Sequence, residues 1–173
     1  MDALAGPVIV VCALLALAGA LKLVRPAPTA GALRALRLPS SLGLVRALGL
    51  GEVVVGVAAG ISFARPVLAL VAAAYLAFAA FVTAALAADV PIQSCGCLGQ
   101  TDTPPSVVHV ALNFASAGAA FAAAITRTPS LGDTLADQPW YGGPFLLLVA
   151  ICLYLCVLVT TVLPITIGSR ATA

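Results

Sequence analysis

Five long apolar runs follow one another along this chain, and they constrain its fold more than any other feature. A helix that crosses a bilayer needs about 20 mostly apolar residues. More polar connections separate the runs, which extend over Ala3–Val24, Leu42–Phe63, Pro66–Ala88, Ser106–Ile125 and Pro144–Leu163. We therefore predict an all-α integral membrane bundle that has four core spans plus a fifth, C-terminal span.

The scarcity of charge supports this class of protein. Hydrophobic residues make up 62% of the 173-residue chain and charged residues only 8%, against about 25% charged residues in ordinary soluble domains. A small soluble domain could not cover its surface with so few charges. The net charge of +2 is also too small to indicate a nucleic-acid partner. We predict a multi-pass protein of the cell membrane whose immediate partner is lipid.

Lysine and arginine give a first indication of sidedness. Five spans put the first and third connections and the C-terminus on one side, together with Lys22, Arg25, Arg34, Arg37 and Arg170. Positive-inside counting assigns that side to the cytoplasm. Most of this bias comes from the first connection. There, Ala32–Leu38 fits either a short interfacial helix, with Leu33 and Leu36 toward lipid, or an ordinary loop.

The third connection, from Asp89 to Pro105, contains the motif Cys95-Gly96-Cys97. A disulfide across one residue closes a small ring, and strained disulfides are the more readily reduced ones. This pattern favours redox-active thiols over inert cysteines or half of a metal site. Zinc would need two further ligands, and His109 is the only histidine, so we predict no metal.

Glu52 is an ionisable residue inside the second span. Such residues are costly in a bilayer, usually face the bundle interior and are candidates for function. Lys22, near the end of the first span, is the predicted partner from a neighbouring helix. Glu52 is then either a proton relay or polar cofactor contact, or one half of an ion pair that fixes helix packing.

The fourth span has its own polar face. His109 and Asn113 are four residues apart, so they share one side of a helix and could hydrogen-bond to neighbouring helices. His109 lies close to the cysteine connection, where it could activate a thiol or move a proton. Gly56 and Gly60 in the second span form a small-xxx-small pair that predicts close helix approach.

Three further cysteines, Cys12, Cys152 and Cys156, lie inside spans. Buried cysteines commonly act as small apolar residues, which makes packing the favoured interpretation. The alternative is that one of them resolves or relays electrons from the pair in the third connection.

These features give the sequence a resemblance to the MauE-type membrane proteins, which are associated with methylamine utilisation and related to the DoxX-like group. The matching residues are Lys22, the pattern Arg46-x-x-Gly49-x-x-Glu52, the pattern Cys95-Gly96-Cys97-x-Gly99, and Asn113. The resemblance predicts a four-helix membrane domain over residues 1–127, followed by a loop and a C-terminal transmembrane helix over 128–173. Leu98 and Leu112 stand where the family usually has Phe and Arg.

The resemblance implies a role in maturing a disulfide-rich partner such as the small subunit of methylamine dehydrogenase, outside the cytoplasm. Cys95 and Cys97 would then perform thiol–disulfide exchange with this client protein, as an oxidoreductase or as an accessory without its own turnover. We predict that Glu52 and His109 handle protons. No cofactor is evident in the residues, although a quinone would be a natural electron acceptor in a bilayer.

Two other functions fit the same residues. One is a membrane scaffold or transport subunit without enzymatic activity, in which Glu52 and the glycines matter more than the cysteines. The other is a DoxX-like subunit of a redox complex that faces the cytoplasm. Disulfide formation belongs outside the cytoplasm, whereas arginine counting puts Cys95 and Cys97 inside. The absence of Lys and Arg from their connection favours the extracytoplasmic side.

Overall fold

A computed structural model describes residues 4–88, 105–126 and 128–171, with side chains described as far as residue 162. Every regular element in these ranges is helical. The helices are α1 (Ala5–Val24), α2 (Pro26–Ala35), α3 (Leu42–Ser62), α4 (Arg65–Ala87), α5 (Val107–Ile125), α6 (Leu131–Ala136) and α7 (Gly143–Ala171), and a 3₁₀ turn over Pro139–Gly142 precedes α7.

The predicted fold class is confirmed. In the described part of the chain, five helical segments are long and apolar enough to cross a membrane: α1, α3, α4, α5 and Pro139–Val162. The chain is therefore a multi-pass membrane protein. In its most apolar window, α1 has 44% of its residues buried in the protein, whereas the last segment has 11%. The fifth span is thus peripheral to the bundle that the first four build.

Local sequence signals set the ends of α3 and α4. The Ser41 hydroxyl accepts a hydrogen bond from the Leu44 amide at 3.2 Å, which caps the start of α3. Phe63 takes a left-handed conformation with φ 49° and ends this helix. Pro66 follows in the first turn of α4, where its missing N–H costs nothing. Because this turn is tight, α4 runs antiparallel to α3 and packs beside it.

The first connection forms a helix rather than a loop. Its helix, α2, begins earlier than predicted and ends at Ala35. Ala32 is buried with Ala85 of α4, and Leu36 packs against this cluster. Leu36 was expected to point toward lipid, but it is partly buried, so part of its side chain faces the protein instead. Arg34 and Arg37 are exposed, as expected for residues near lipid head groups.

Alternating spans bring four helix termini to one end of the bundle. α1 ends there at Val24, α3 begins at Leu42, α4 ends at Ala87 and α5 begins at Val107. We call this the Lys22 end. Residues 89–104 connect α4 with α5 at this end, and Cys95 and Cys97, which belong to this connection, lie outside the described residues. The packing is closest between α1 and α3 and between α4 and α5.

Candidate functional site

A buried ion pair joins α1 to α3. Lys22 Nζ lies 2.6 Å from Glu52 Oε2, and the two side chains are only 4% and 10% exposed. The predicted partnership is therefore confirmed. The ammonium also lies 4.9 Å from the centroid of the Phe78 ring on α4, a distance that allows a cation–π interaction. One lysine of α1 thus contacts side chains of both α3 and α4.

Two glycines allow the helices to approach closely enough for this pair. A Cβ atom added to Gly49 would lie 2.7 Å from the Gly19 carbonyl oxygen and 3.0 Å from Lys22 Cβ. Gly19 and Lys22 are three residues apart on α1, as are Gly49 and Glu52 on α3. The two glycines therefore meet one turn from the two charges. Sequence reasoning missed Gly19, although the spacing of Gly49 and Glu52 was part of the family motif.

The third member of that motif lies apart from the pair. Arg46 is on α3 and is exposed. No salt bridge of Arg46 occurs in the described part of the chain. Glycine and glutamate therefore build the contact between α1 and α3, whereas the arginine is free to meet head groups near the start of α3.

A second close approach occurs farther along the same two helices. A Cβ on Gly56 would lie 2.7 Å from the Cys12 carbonyl oxygen and 2.9 Å from the Ala16 amide nitrogen. A Cβ on Gly60 would lie 3.3 Å from Cys12 Cβ. The prediction that these glycines permit close packing is confirmed, and Gly56 carries the tighter contact. Cys12 is fully buried in this interface, as the packing interpretation expects.

His109 and Asn113 are both buried on one face of α5. The His109 ring nitrogen Nδ1 lies 2.8 Å from the Ser106 hydroxyl, at the start of the same helix. No hydrogen bond of the Asn113 side chain occurs within the described ranges. The expected hydrogen bonds from these two residues to other helices are therefore not found there.

A small cavity of about 40 Å³ lies beside these two residues. Its walls come from α1, α4, α5 and α7, and they include Ala18, Tyr75, Phe78, His109, Asn113 and Thr160. Such a volume holds about one water molecule. Phe78 lines the cavity and also lies under the Lys22 ammonium. The ion pair and the polar face of α5 are therefore adjacent, separated by one aromatic ring.

Tyr75 of α4 is a lining residue of this cavity that is held in place by two contacts. Its hydroxyl donates a 2.8 Å hydrogen bond to the Val11 carbonyl oxygen of α1. Its ring meets Phe78 edge to face, with 5.9 Å between the centroids. Tyr75 thus fixes Phe78 between the ion pair and the cavity, a role that the sequence did not signal.

The structure brings two of the four predicted site residues near each other. Glu52, with Lys22, and His109 lie on either side of Phe78 toward the Lys22 end. Cys95 and Cys97 lie outside the described residues, in the connection that this end carries. In the ranges that the structure covers, no cluster of three or more His, Cys, Asp or Glu side chains could hold a metal ion.

Comparison with known proteins identifies the first five helices as a family domain. A family model described as "Methylamine utilisation protein MauE" matches residues 2–128, which is well over half of the chain. The resemblance drawn from the sequence motifs is therefore confirmed. Searches of curated proteins and of solved structures found no significant match.

Proposed function

We propose a function on the premise that the chain belongs to the MauE family of membrane proteins. In this proposal Cys95 and Cys97 exchange a disulfide with a client protein and so assist its maturation. One observation carries the proposal. The buried Lys22–Glu52 pair and His109 lie at the end of the bundle where the Cys95–Cys97 connection joins α4 to α5. Ionisable groups are expensive in a bilayer, so their concentration at this end indicates a use.

The exchange is balanced between the two proteins. A client thiolate attacks one sulfur of the Cys95–Cys97 disulfide and forms a mixed disulfide. The client's second thiolate then displaces Cys95 or Cys97, which closes the client disulfide. Two electrons pass from the client to the Cys95–Cys97 pair. The pair also takes up two protons, equal to those that the client thiols lose, and so becomes a dithiol. A lipid-soluble quinone can reoxidise it by taking the same two electrons and two protons.

His109 is suited to move these protons. It lies in the first turn of α5, with Nδ1 against the Ser106 hydroxyl, and an imidazole ring can both accept and donate a proton. Glu52, which pairs directly with Lys22, is the second proton-handling group. Both roles fit a site whose thiols must be alternately protonated and deprotonated.

The family name supports a specific client and a specific side. A methylamine dehydrogenase-type subunit, rich in disulfides, would need such a helper outside the cytoplasm, where disulfides form and persist. The protein would then sit in the cell membrane with the Lys22 end facing outward. A methylamine dehydrogenase gene beside the gene for this chain would support this client.

An impermeant maleimide tests the sidedness. In a C12A/C152A/C156A variant only Cys95 and Cys97 remain. We expect labelling in intact cells after mild reduction, and none without it, because the pair rests as a disulfide. The matched blank is the same variant with C95S and C97S. Labelling that requires cell lysis would contradict the extracytoplasmic placement.

Serine replacements test the chemistry. We expect either C95S or C97S to abolish maturation of the co-expressed client, because one thiol alone cannot close a disulfide. Membrane insertion should be unchanged, since neither residue belongs to a span. C12A serves as the control, being a cysteine buried between α1 and α3 that the proposed exchange does not use. Normal maturation with the C95S/C97S double variant would refute the proposed exchange.

The scaffold alternative rests on the same ion pair. Lys22 and Glu52 hold α1 to α3, so they could matter only for assembly. Loss of function in Glu52→Gln, together with harmless changes at Cys95 and Cys97, would favour a non-enzymatic scaffold or transport subunit.

A further inference from the structure

An apolar cleft of about 330 Å³ runs between α1, α5 and α7. We call it the α7 cleft, and its walls include Val10, Ala115, Ser116, Phe145, Leu148 and Cys152. Its volume lies in the range of small-molecule sites, which is about 300–1,000 Å³. Leu148 and Ala115 are exposed at its rim. Because α7 is a membrane span, this rim opens toward the lipid.

One wall of the α7 cleft carries the Ser116 hydroxyl, which makes no hydrogen bond within the described ranges. Ser116 as a whole is only 4% exposed, but its oxygen keeps some accessible surface toward the cleft, because no fully buried side-chain oxygen in those ranges lacks a partner. Thr160 and Thr161 behave differently, because their hydroxyls donate to backbone carbonyls one turn earlier at 2.9 and 2.8 Å. A polar group that lacks a partner among apolar atoms costs free energy. Ser116 therefore indicates a ligand with a hydrogen-bond acceptor.

The α7 cleft lies next to the small cavity between α1, α4, α5 and α7. Leu112 lines both spaces. Asn113, which also has no hydrogen bond from its side chain in the described ranges, faces the smaller one, and so does His109. Leu112 would thus separate a ligand in the α7 cleft from groups that can supply protons. Its outer end would remain in hydrocarbon.

We propose that the α7 cleft binds a lipid-soluble quinone, with one ring carbonyl oxygen accepting a hydrogen bond from Ser116. The ring packs against the aliphatic and aromatic walls, and the tail leaves past Leu148 into the bilayer. A lipid acyl chain could fill the same volume, but its apolar atoms would leave Ser116 unpaired. A charged ligand has no counter-charge among the residues that line the cleft.

The redox role of this quinone rests on the proposed function. The Cys95–Cys97 dithiol loses two S–H bonds and gains one S–S bond. Two electrons and two protons reduce the quinone to a hydroquinone, with one new O–H bond on each ring oxygen. The quinone is the oxidant that the thiol exchange needs for a second turnover.

Binding of decylubiquinone to the full-length protein in lipid nanodiscs tests the α7 cleft. We expect decylubiquinone to bind saturably. Decanol, which has the ten-carbon tail but no ring, should bind more weakly. Ser116→Ala should weaken binding by up to about tenfold, the usual value of one hydrogen bond. Ala115→Phe should abolish binding by filling the cleft. Its control is Gly118→Phe on the same helix, where an added Cβ meets no atom within 4 Å.

The outcomes separate this inference from the thiol chemistry. Binding should be unchanged in C95S/C97S, because the cleft contains neither cysteine. Equal binding of decanol, or full binding in both Ser116→Ala and Ala115→Phe, would overturn the quinone site. If the protein binds no quinone but client maturation is normal, the quinone site is overturned and the exchange reaction still stands. If decylubiquinone binds specifically but C95S and C97S leave client maturation unchanged, the quinone site is supported and the exchange is refuted. If Ala115→Phe does not fold, Ser116→Ala decides.

Discussion

Replacing Glu52 with Gln should destabilise the bundle by about 3–5 kcal/mol, the usual cost of removing one partner of a buried ion pair. The carboxylate lies 2.6 Å from Lys22 Nζ, and both side chains are almost fully buried. A neutral amide would remove the charge that Glu52 places beside the Lys22 ammonium, in a medium that solvates charge poorly. Unfolding of the purified protein by sodium dodecyl sulfate, added to mild detergent, measures the change.

The double variant K22M/E52Q distinguishes a pair from two independent residues. Because it removes both charges, it should be more stable than either single variant, with a coupling free energy of at least about 1 kcal/mol. Arg46→Gln is the matched control, since Arg46 is a charged residue on the same helix that is exposed. It should change the free energy of unfolding by no more than about 0.5 kcal/mol.

Additive effects of K22M and E52Q would contradict the ion pair as a structural unit. The same variants also bear on function. If K22M/E52Q recovers stability but not client maturation, the charges have a role beyond holding α1 to α3. If it recovers both, the pair is structural, and proton handling falls to His109.

The sequence was sufficient to predict the spans and the ion pair, and the reason is physical. Apolar runs of this length have one stable solution in a bilayer, because every backbone hydrogen bond must be made within the segment. Charges inside the spans are few, and each must find a partner or reach the interface. Glu52 had few candidates within reach, and Lys22 near the end of α1 was the best placed.

Contacts between helices were harder to predict. Alanine and glycine occur on every face of these helices, so small residues alone do not show which of them meet. Gly56 was identified by its spacing from Gly60, but Gly19 has no such pattern and emerges only when α1 is placed against α3. The partial burial of Leu36 against the cluster of Ala32 and Ala85 likewise depends on α4, which is distant in sequence.

The α7 cleft was equally invisible in the sequence. Its space exists because α7 packs loosely on α1 and α5, which is a property of three helices together. Ser116 carried no signal either, because small hydroxyl residues are common at contacts between membrane helices. That the Ser116 hydroxyl makes no hydrogen bond in the described ranges is recognised only once the neighbouring helices are known.

Gly49 offers the sharpest test of the contact between α1 and α3. A Cβ at this position would lie 2.7 Å from the Gly19 carbonyl oxygen, a backbone atom that cannot rotate away. Gly49→Ala should therefore push the helices apart and cost about 1–3 kcal/mol. Gly49→Leu should prevent native packing, so that little monodisperse protein can be purified. Both changes would also separate Lys22 from Glu52.

The control lies two residues away on the same helix. An added Cβ on Gly51 meets nothing within 4 Å, so Gly51→Ala and Gly51→Leu face the lipid. Alanine and leucine favour a helix over glycine by about 1 kcal/mol at either position, and this gain cancels in the comparison. The difference between the two sites therefore isolates helix contact. Equal stability of G49A and G51A would show that α1 and α3 do not meet at Gly19. If the losses of stability in G49A and E52Q simply add in the double variant, the glycine contact and the ion pair stabilise the bundle independently.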